Sequence, residues 1–468
     1  MFFQQYELGC LSLFSYMIGD ETTGRAVVVD PQRDVSQYLA DAEARGLTIE
    51  RVIETHFHAD FLSGHLEIAA ATGAVVSYGE AARTEFAIDP LADGQRLPLG
   101  EVVLEIRATP GHTPESISVV VYERDGAEPW GVLTGDTLFI GDVGRPDLLS
   151  SSGVTAEDLA RSLYRSLHER LLTLPDGVRV FPAHGAGSAC GKNLSTATQS
   201  TIGEQRATNY ALQPMSEEAF VEAVTTGQSV APPYFGFAAQ ANRSAHELLD
   251  DDEPPPILGV EEIERWLADG AVLIDGRQAA EFASGHLRGA VNVGMEGRFA
   301  EYAGDVARPD QPILLATDPG REAEAKIRLA RIGFDRVVGA VGDVKRLLAE
   351  HPELAEPALR ITAGDLARWD SSDGPVQLVD VRNPGEQEEG IVPGARRIPL
   401  AALLRRLDEL DRAKTTVVYC AGGYRSAIAA SALSAHGFPL VADLLGGYDA
   451  WKAGGHPVET PTAPAGAR

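Results

Sequence analysis

Cysteine is scarce in this sequence, with three residues among 468: Cys10, Cys190 and Cys420. They are odd in number and far apart, so the chain lacks the disulfide framework of a small secreted protein. Their scarcity leaves room for a reactive thiol instead. The chain is also too long for a single hydrophobic core, and domains of ~100 to 200 residues predict two to four of them.

Basic residues are also few in comparison with acidic ones. Lys and Arg number 40 against 68 Asp and Glu, which gives a net charge of −28. Because phosphate contacts need clustered Lys and Arg, this balance predicts no nucleic-acid partner and no anionic membrane surface. No apolar run reaches the ~18 residues that span a bilayer, and residues 1–9 lack the basic and apolar parts of a signal peptide. We therefore expect a cytoplasmic protein, and we expect it to be a homo-oligomer.

Apolar strand-like runs alternate with helix-like segments in the first half of the chain. Residues 26–30 and 118–122 are rich in valine, and residues 158–172 have a helical pattern. This alternation predicts an α/β layered domain. A charge run followed by three prolines, residues 250–256, predicts a linker. The predicted boundaries are an N-terminal domain at 1–246, the linker at 247–256, two further domains at 257–356 and 357–460, and a tail at 461–468.

Downstream of the linker the chain repeats itself. The segment Leu273–Arg277 matches Leu378–Arg382, and glycines that follow each segment match at a nearly constant offset. Such self-similarity indicates two copies of one domain. Only the second copy contains a cysteine, Cys420. The offset places its counterpart in the first copy at Leu315 or Ala316, neither of which is a sulfur nucleophile.

The cysteine of the second copy opens a segment that we name the persulfide loop: Cys420, Ala421, Gly422, Gly423, Tyr424, Arg425 and Ser426. It lies between a strand-like run at 417–419 and a helix-like run at 427–435. A glycine-rich turn of this kind aims backbone N–H groups inward and ends on a positive helix terminus, which together with Arg425 stabilises a thiolate or persulfide anion. The alternative is a buried cysteine in a tight turn.

With the Asp380-Val381-Arg382 segment, the persulfide loop resembles the rhodanese sulfurtransferase family. The resemblance implies that Cys420 carries a sulfane sulfur as a persulfide. It also implies that the first copy is a rhodanese-like domain without transfer activity, kept for packing or docking. Both copies are then expected to be α/β domains.

Histidines and aspartates follow strand-like runs or occupy a Pro/Gly-punctuated turn in the N-terminal domain; they are His56, His58, Asp60, His112, Asp136 and His184. Loops carried on a rigid sheet edge are a usual place for metal ligands. These segments resemble the metallo-β-lactamase fold, a four-layer αββα sandwich with metals at one edge of its two sheets. In dinuclear members a histidine follows Asp60, whereas here Phe61 does, so we expect one metal.

One metal held by two imidazoles and one carboxylate is the arrangement of non-haem Fe(II) oxygenases, which leaves positions open for substrate and O₂. The N-terminal domain resembles the persulfide dioxygenases. This resemblance implies that His56, His112 and Asp136 hold one Fe(II) per chain. The alternative is a set of hydrogen-bonding residues without a metal.

The other histidines and Asp60 are expected to support this site. His58 is predicted to orient water or substrate, with a ligand role as the alternative. Asp60 is predicted to orient a ligand histidine, and His184 to line the pocket or to pack. His65, on the next helix, is expected at the surface or as a cap.

Two residues are predicted to meet the substrate. Arg145 lies in a loop that resembles the family's thiol-binding loop, where it would hold a carboxylate through forked hydrogen bonds; the alternative is a surface salt bridge. Cys190 follows His184 by a short loop and is predicted to accept sulfur at the pocket mouth, with a small buried residue as the alternative.

The order of domains resembles bacterial fusions of a persulfide dioxygenase with a sulfurtransferase. The resemblance implies oxidation of a thiol persulfide by O₂ to sulfite, and exchange of sulfane sulfur to or from thiosulfate. The thiol is open among glutathione, coenzyme A and another low-molecular-weight thiol, and so is the direction of transfer. The alternatives are a glyoxalase II-like zinc thioester hydrolase and a sulfur carrier with an inert N-terminal domain.

Overall fold

The computed structural model describes residues 1–148, 154–250, 253–369 and 374–460. They form two compact units, of which the first contains residues 1–228, 234–250 and 330–333 and the second contains the other described residues. The predicted tail and two residues of the predicted linker, Asp251 and Asp252, lie outside the described residues. Within those ranges, every helix is too short or too polar to cross a bilayer.

Two six-stranded sheets form the centre of the first unit. The strands of the first sheet, adjacent in chain order, are β1 (Phe2–Leu8), β2 (Leu13–Asp20), β3 (Arg25–Val29), β4 (Thr48–Ile53), β5 (Val75–Gly79) and β6 (Asp89–Leu91). Those of the second sheet are β7 (Arg96–Pro98), β8 (Val103–Ala108), β9 (Ile117–Tyr122), β10 (Gly131–Gly135), β11 (Arg179–Pro182) and β12 (Ser200–Thr201). Buried side chains from both sheets, among them Ile18, Leu104 and Phe181, form a shared core.

Helices cover the outer face of each sheet. The helices of this unit are α1 (Ser36–Arg45), α2 (His65–Thr72), α3 (Ala156–Ser166), α4 (Ile202–Thr208), α5 (Glu217–Thr225) and α6 (Phe235–Ala241). Helix α3 begins where the Thr155 hydroxyl accepts the Asp158 N–H, and it buries Leu159 and Leu163 against the second sheet. Tyr38 of α1 and Ile68 of α2 pack on the first sheet. The order of helix, sheet, sheet and helix is the predicted αββα sandwich.

The chain segments that carry the predicted ligands leave the sheets at strand ends. Strand β4 ends three residues before His56, β8 ends four residues before His112, and β10 and β11 end just before Asp136 and His184. Strand β10 runs parallel to β11, so both release their next residues at the same edge. Backbone pairing therefore fixes where these loops start.

The second unit contains two copies of a parallel-sheet domain. The first copy has β13 (Val272–Asp275), β14 (His286–Leu287), β15 (Val291–Asn292), β16 (Ile313–Ala316), β17 (Val337–Ala340) and β18 (Ala355–Glu356), with α7 (Val260–Ala268), α8 (Ala279–Ser284), α9 (Phe299–Val306), α10 (Glu322–Ala330) and α11 (Val344–Glu350). The second has β19 (Leu359–Ile361), β20 (Val376–Asp380), β21 (Arg396–Arg397), β22 (Thr415–Tyr419) and β23 (Val441–Leu444), with α12 (Ala363–Ala367), α13 (Pro384–Glu388), α14 (Leu400–Leu403), α15 (Tyr424–Ala435) and α16 (Gly447–Ala453).

The main sheets of the two copies have related orders, β15-β13-β16-β17 and β19-β23-β22-β20-β21. Each copy contains the same buried ion pair. The Nε atoms of Arg277 and Arg382 lie 3.0 Å from Oδ1 of Asp275 and Asp380, and one terminal nitrogen of each lies 2.6 Å from Oδ2. The predicted α/β class, with a sandwich followed by two repeated domains, is confirmed.

Candidate active sites

Three predicted ligands meet in the first unit: His56, His112 and Asp136. Nε2 of His56 lies 3.8 Å from Oδ2 of Asp136, and Nε2 of His112 lies 3.4 Å from the same oxygen. All three side chains are buried. The cluster therefore offers two imidazole nitrogens and one carboxylate oxygen to a single point.

Hydrogen bonds fix the tautomer of both histidines. Thr55 donates its hydroxyl proton to Asp30 (2.8 Å), so its oxygen accepts the Nδ1 proton of His56 (2.9 Å). Nδ1 of His112 donates to the backbone carbonyl of Arg145 (2.8 Å). Because each Nδ1 carries the proton, each Nε2 presents its lone pair to the cluster, which is the usual arrangement of metal-bound histidine.

The donor set fits a metal. Nε2 of His56 and Oδ2 of Asp136 are buried and have no hydrogen-bond partner among the described residues. Buried polar atoms without a partner are costly and rare, so this pair calls for an occupant. Two imidazoles and a carboxylate are ligands that suit a first-row transition metal.

His58 belongs to a neighbouring buried cluster that the sequence analysis missed. Its Nε2 lies 3.1 Å from Oδ1 of Asp30 and 3.3 Å from Oε2 of Glu54. Burial lowers the pKa of His58, but the two carboxylates outweigh it and raise that pKa to about 10. Asp30 and Glu54 each follow an apolar strand directly, which is the pattern that identified His56. Nδ1 of His58 has no partner among the described residues, so both roles considered for it stay predictions.

His65 was expected at the surface or as a helix cap, and both expectations are wrong, since the N-cap of α2 is Gly64. It is the first residue of α2, yet it is fully buried, with Nδ1 3.4 Å from Oε1 of Glu54. Glu54 also accepts the hydroxyl of Ser63 (2.5 Å). The physical reason is this buried carboxylate, which lies beside the imidazole and offsets the cost of burying a polar ring.

Asp60 and His184 lie next to the triad through Asp136. Nδ1 of His184 bonds Oδ1 of Asp136 (2.7 Å), and its Nε2 lies 2.7 Å from Oδ2 of Asp60. Burial lowers the pKa of His184, but the two carboxylates outweigh it and raise the pKa well above its usual range. His184 thus holds one oxygen of Asp136 and leaves the other to the cluster.

Cys190 lies beside these two residues. Ligand atoms of Asp60, His184 and Cys190 are all within 4.8 Å of one another, and Cys190 is buried. Burial, with the charges of Asp60 and Asp136, raises the pKa of the Cys190 thiol. Phe61 is fully buried, with its ring centroid 4.3 Å from that of His58. The structure therefore assembles a second donor set, with a thiol, that the sequence analysis did not identify.

Arg145 is buried rather than at the surface. Its guanidinium group forms a forked pair with Asp147, at 2.7 and 2.8 Å, and donates to the carbonyl of Ala189 (3.1 Å). Its backbone joins His112 to Cys190, since its N–H donates to the Cys190 carbonyl (3.1 Å). The salt bridge considered as the alternative is present, with Asp147 as the partner, but the Arg145 side chain is buried rather than at the surface. Its contact with a thiol substrate stays a prediction.

The persulfide loop joins β22 to α15 in the second unit. The N–H of Gly423 points at Sγ of Cys420 (3.1 Å), and Sγ lies 3.6 Å from the hydroxyl of Ser426. Helix α15 begins at Tyr424, earlier than the predicted Ala427, so its positive end lies close to the sulfur. Gly447 packs against the loop so closely that a side chain there would overlap the carbonyls of Cys420 and Ala421.

Arg425 pairs with a carboxylate that the sequence analysis did not assign to the site. Its two terminal nitrogens each lie 2.7 Å from one oxygen of Glu386, at α13. A forked pair of this kind fixes the guanidinium plane. Glu386 therefore fixes the Arg425 side chain of the loop, and the contact of Arg425 with a persulfide stays a prediction.

The strand registers correct the position of the missing cysteine in the first copy. Asp275 pairs with Ala316, whereas Asp380 pairs with Tyr419, so the counterpart of Cys420 is Thr317 rather than Leu315 or Ala316. Counting along the sequence missed this position because the second copy has fewer residues than the first between the Asp-x-Arg segment and the strand that precedes the loop. Gly320 in that loop donates its N–H to Glu322 (2.9 Å). An acidic side chain thus occupies the turn where an anion would bind.

Each unit of the chain matches a known protein family. The metallo-β-lactamase superfamily model matches residues 8–184, and the rhodanese-like domain model matches residues 259–346 and 362–454. The mitochondrial persulfide dioxygenase ETHE1 of Bos taurus is 30% identical over 233 residues, which cover 49% of this chain and 82% of that protein. The cytoplasmic hydroxyacylglutathione hydrolase of Arabidopsis thaliana is 34% identical over 173 residues, covering 36% of this chain and 63% of that protein.

A crystal structure of a metallo-β-lactamase from Staphylococcus aureus subsp. aureus COL superposes with a TM-score of 0.66 at 33% identity, and covers 72% of this chain and 98% of that one. Fold and site thus define a metallo-β-lactamase-fold enzyme with two rhodanese-like domains. The chain belongs to the persulfide dioxygenase family within the metallo-β-lactamase superfamily. Its His and Asp donor groups, on this fold, support a bound metal.

Proposed function

We propose that the protein is a non-haem Fe(II) persulfide dioxygenase coupled to a rhodanese sulfurtransferase. The observation that carries the proposal is the triad of His56, His112 and Asp136, whose free atoms face one point as a two-histidine, one-carboxylate set. Bound there, ferrous iron would supply open coordination positions and redox chemistry with O₂. The overall reaction is R–S–SH + O₂ + H₂O → R–SH + H₂SO₃.

The neighbouring residues hold this triad in one arrangement. Thr55 and the Arg145 carbonyl keep the Nδ1 protons in place, and His184 occupies one oxygen of Asp136. Burial of all three ligands excludes bulk water, which protects a reactive sulfur species from side reactions. The small-molecule substrate is a thiol persulfide, such as that of glutathione or coenzyme A.

Cys420 supplies the second chemistry. The Gly423 N–H and the start of α15 stabilise negative charge on its sulfur, as a persulfide anion requires. It would exchange sulfane sulfur with sulfite and thiosulfate. Fusion keeps the product of one site at a high effective concentration for the other.

Metal analysis with oxygen measurement tests the dioxygenase. We expect about one iron per chain in protein purified without O₂, because one triad holds one ion. Addition of glutathione persulfide should consume O₂ and release sulfite in equal amounts. Two zinc ions per chain, thioester hydrolysis and no O₂ uptake would contradict the proposal.

One observation favours the zinc hydrolase as a second candidate. Asp60, His184 and Cys190 form a donor set beside the triad, so a second metal has ligands despite Phe61. The hydroxyacylglutathione hydrolase of Arabidopsis thaliana is among the relatives. The metal count above separates the candidates, since this one requires zinc at both sites.

Cys190→Ser is expected to slow oxidation of inorganic persulfide at least threefold while iron content stays unchanged. The thiol is within reach of Asp60 and His184 and would accept sulfur as Cys190–SH + HS–SH → Cys190–S–SH + H₂S. Mass spectrometry of the Cys190 peptide, after treatment with persulfide without O₂, should show one added sulfur atom.

Cys10→Ser is a matched control, because Cys10 is not in this donor set. An unmodified Cys190 peptide with unaltered turnover would make Cys190 a packing residue. A variant that loses zinc instead would make it a metal ligand.

A further inference from the structure

The persulfide loop is in contact with the rhodanese-like domain that lacks a cysteine. Tyr424, the first residue of α15, donates its hydroxyl to the carbonyl of Gly294 in that domain (2.6 Å). Its ring also lies edge-on to Tyr302 of α9, with ring centroids 5.6 Å apart. Tyr424 is thus the loop residue that reaches across to the first copy.

The surface that receives Tyr424 is a turn with two glycines, Gly294 to Gly297, which we name the glycine slot. A methyl group on Gly297 would overlap the Tyr424 ring and lie 2.7 Å from its hydroxyl oxygen. The turn itself is held by Arg328, which donates to the carbonyls of Met295 (2.5 Å) and Gly297 (2.8 Å). The glycine slot is therefore shaped to the ring and fixed from behind.

The position of Tyr424 matters because of its neighbours. Gly423, one residue before it, aims its N–H at Sγ of Cys420, and Arg425, one residue after it, pairs with Glu386. A residue locked between these two fixes the direction of the N–H and the start of the helix. Sub-ångström placement of such groups decides how well they stabilise charge on sulfur.

We infer that the cysteine-less rhodanese-like domain is a positioning element for Cys420, acting through Tyr424 seated in the glycine slot. Tyr424 is a positioning residue, since its hydroxyl is committed to Gly294 rather than to a substrate. The inference rests on the proposed sulfurtransferase activity. In this inference the first copy affects sulfur transfer by the second copy, whereas simple packing between the copies would not.

Four variants of the full chain test it: Gly297→Ala, Tyr424→Ala, the double variant and Tyr424→Phe. Gly297 does not have a left-handed backbone, so the added methyl acts through the overlap alone. Gly259→Ala in the same domain is the matched control, because a methyl there meets only the Glu262 carboxylate, at 3.9 Å. Thermal unfolding by circular dichroism reports the folded fraction.

In sulfur transfer from thiosulfate to cyanide, we expect Gly297→Ala to lower kcat at least tenfold with KM within twofold of wild type. Tyr424→Phe should lose about fivefold, as one hydrogen bond is removed. The double variant should be no slower than Tyr424→Ala, because both changes act through one contact. The alkylation rate of Cys420 by iodoacetamide, followed on its peptide, should change at least threefold and shift its pH profile.

Wild-type kcat and alkylation in Gly297→Ala would overturn the inference, as would losses that multiply in the double variant. A fall in kcat that only follows the folded fraction would also overturn it. If the wild-type protein transfers no sulfur, the proposed function fails. The rate of Cys420 alkylation still tests whether Tyr424 in the glycine slot positions the loop.

Discussion

Replacing His112 with alanine should abolish both metal retention and O₂ uptake. The variant keeps His56 and Asp136, and two protein ligands hold labile Fe(II) poorly against solvent. Iron content measured by mass spectrometry should fall at least tenfold, the scale of loss that even an outer hydrogen-bond partner produces. An oxygen electrode with glutathione persulfide should record no uptake above background.

His168→Ala serves as the control, because His168 is an exposed histidine of the same unit that contacts Tyr164 through a hydrogen bond to its carbonyl (2.9 Å) and through a ring contact with centroids 4.1 Å apart. It should keep wild-type iron and oxygen uptake. Full iron occupancy in His112→Ala would remove His112 from the ligands.

Cys420→Ser should remove sulfur transfer from thiosulfate to cyanide by at least ~1000-fold, because the serine hydroxyl is not a sulfur nucleophile and loss of a nucleophile is among the largest catalytic effects known. Sulfite release from glutathione persulfide should stay within twofold of wild type, since that chemistry uses residues of the other unit. Both activities are measured on one preparation.

Thr317→Ser is the matched control, at the corresponding position of the first copy. It should leave transfer unchanged. Loss of oxygen uptake in Cys420→Ser would show that sulfur must pass through Cys420 before oxidation. It would contradict the proposal that the two activities use separate sets of residues.

Local patterns in the sequence were sufficient for much of the fold. The valine-rich runs at 26–30 and 118–122 form β3, which ends one residue before Asp30, and β9, because strands buried on both faces need continuous apolar residues. The helical pattern at 158–172 forms α3 and a π-helical turn that ends at Leu171. The repeat was visible because glycines and the Asp-x-Arg segment keep their spacing in both copies.

The contacts that shape the sites were harder to foresee, since they join residues distant in sequence. Asp30 contacts His58, although the two residues follow different strands, and Cys190 lies close to Asp60, which is 130 positions earlier in the chain. The sequence around His65 does not predict its contact with the buried carboxylate of Glu54. The position of Thr317 likewise required the strand register, which counting along the chain cannot supply.

The same buried Asp-x-Arg ion pair is present in both copies of the repeated domain. Asp275–Arg277 and Asp380–Arg382 have the same distances, although only the second copy has a cysteine to serve. Breaking a buried ion pair by removing one partner costs about 3–5 kcal/mol, a large share of a domain's stability. The requirement to fold is therefore sufficient to explain the pair in both copies, because it applies to a copy whether or not that copy carries a cysteine.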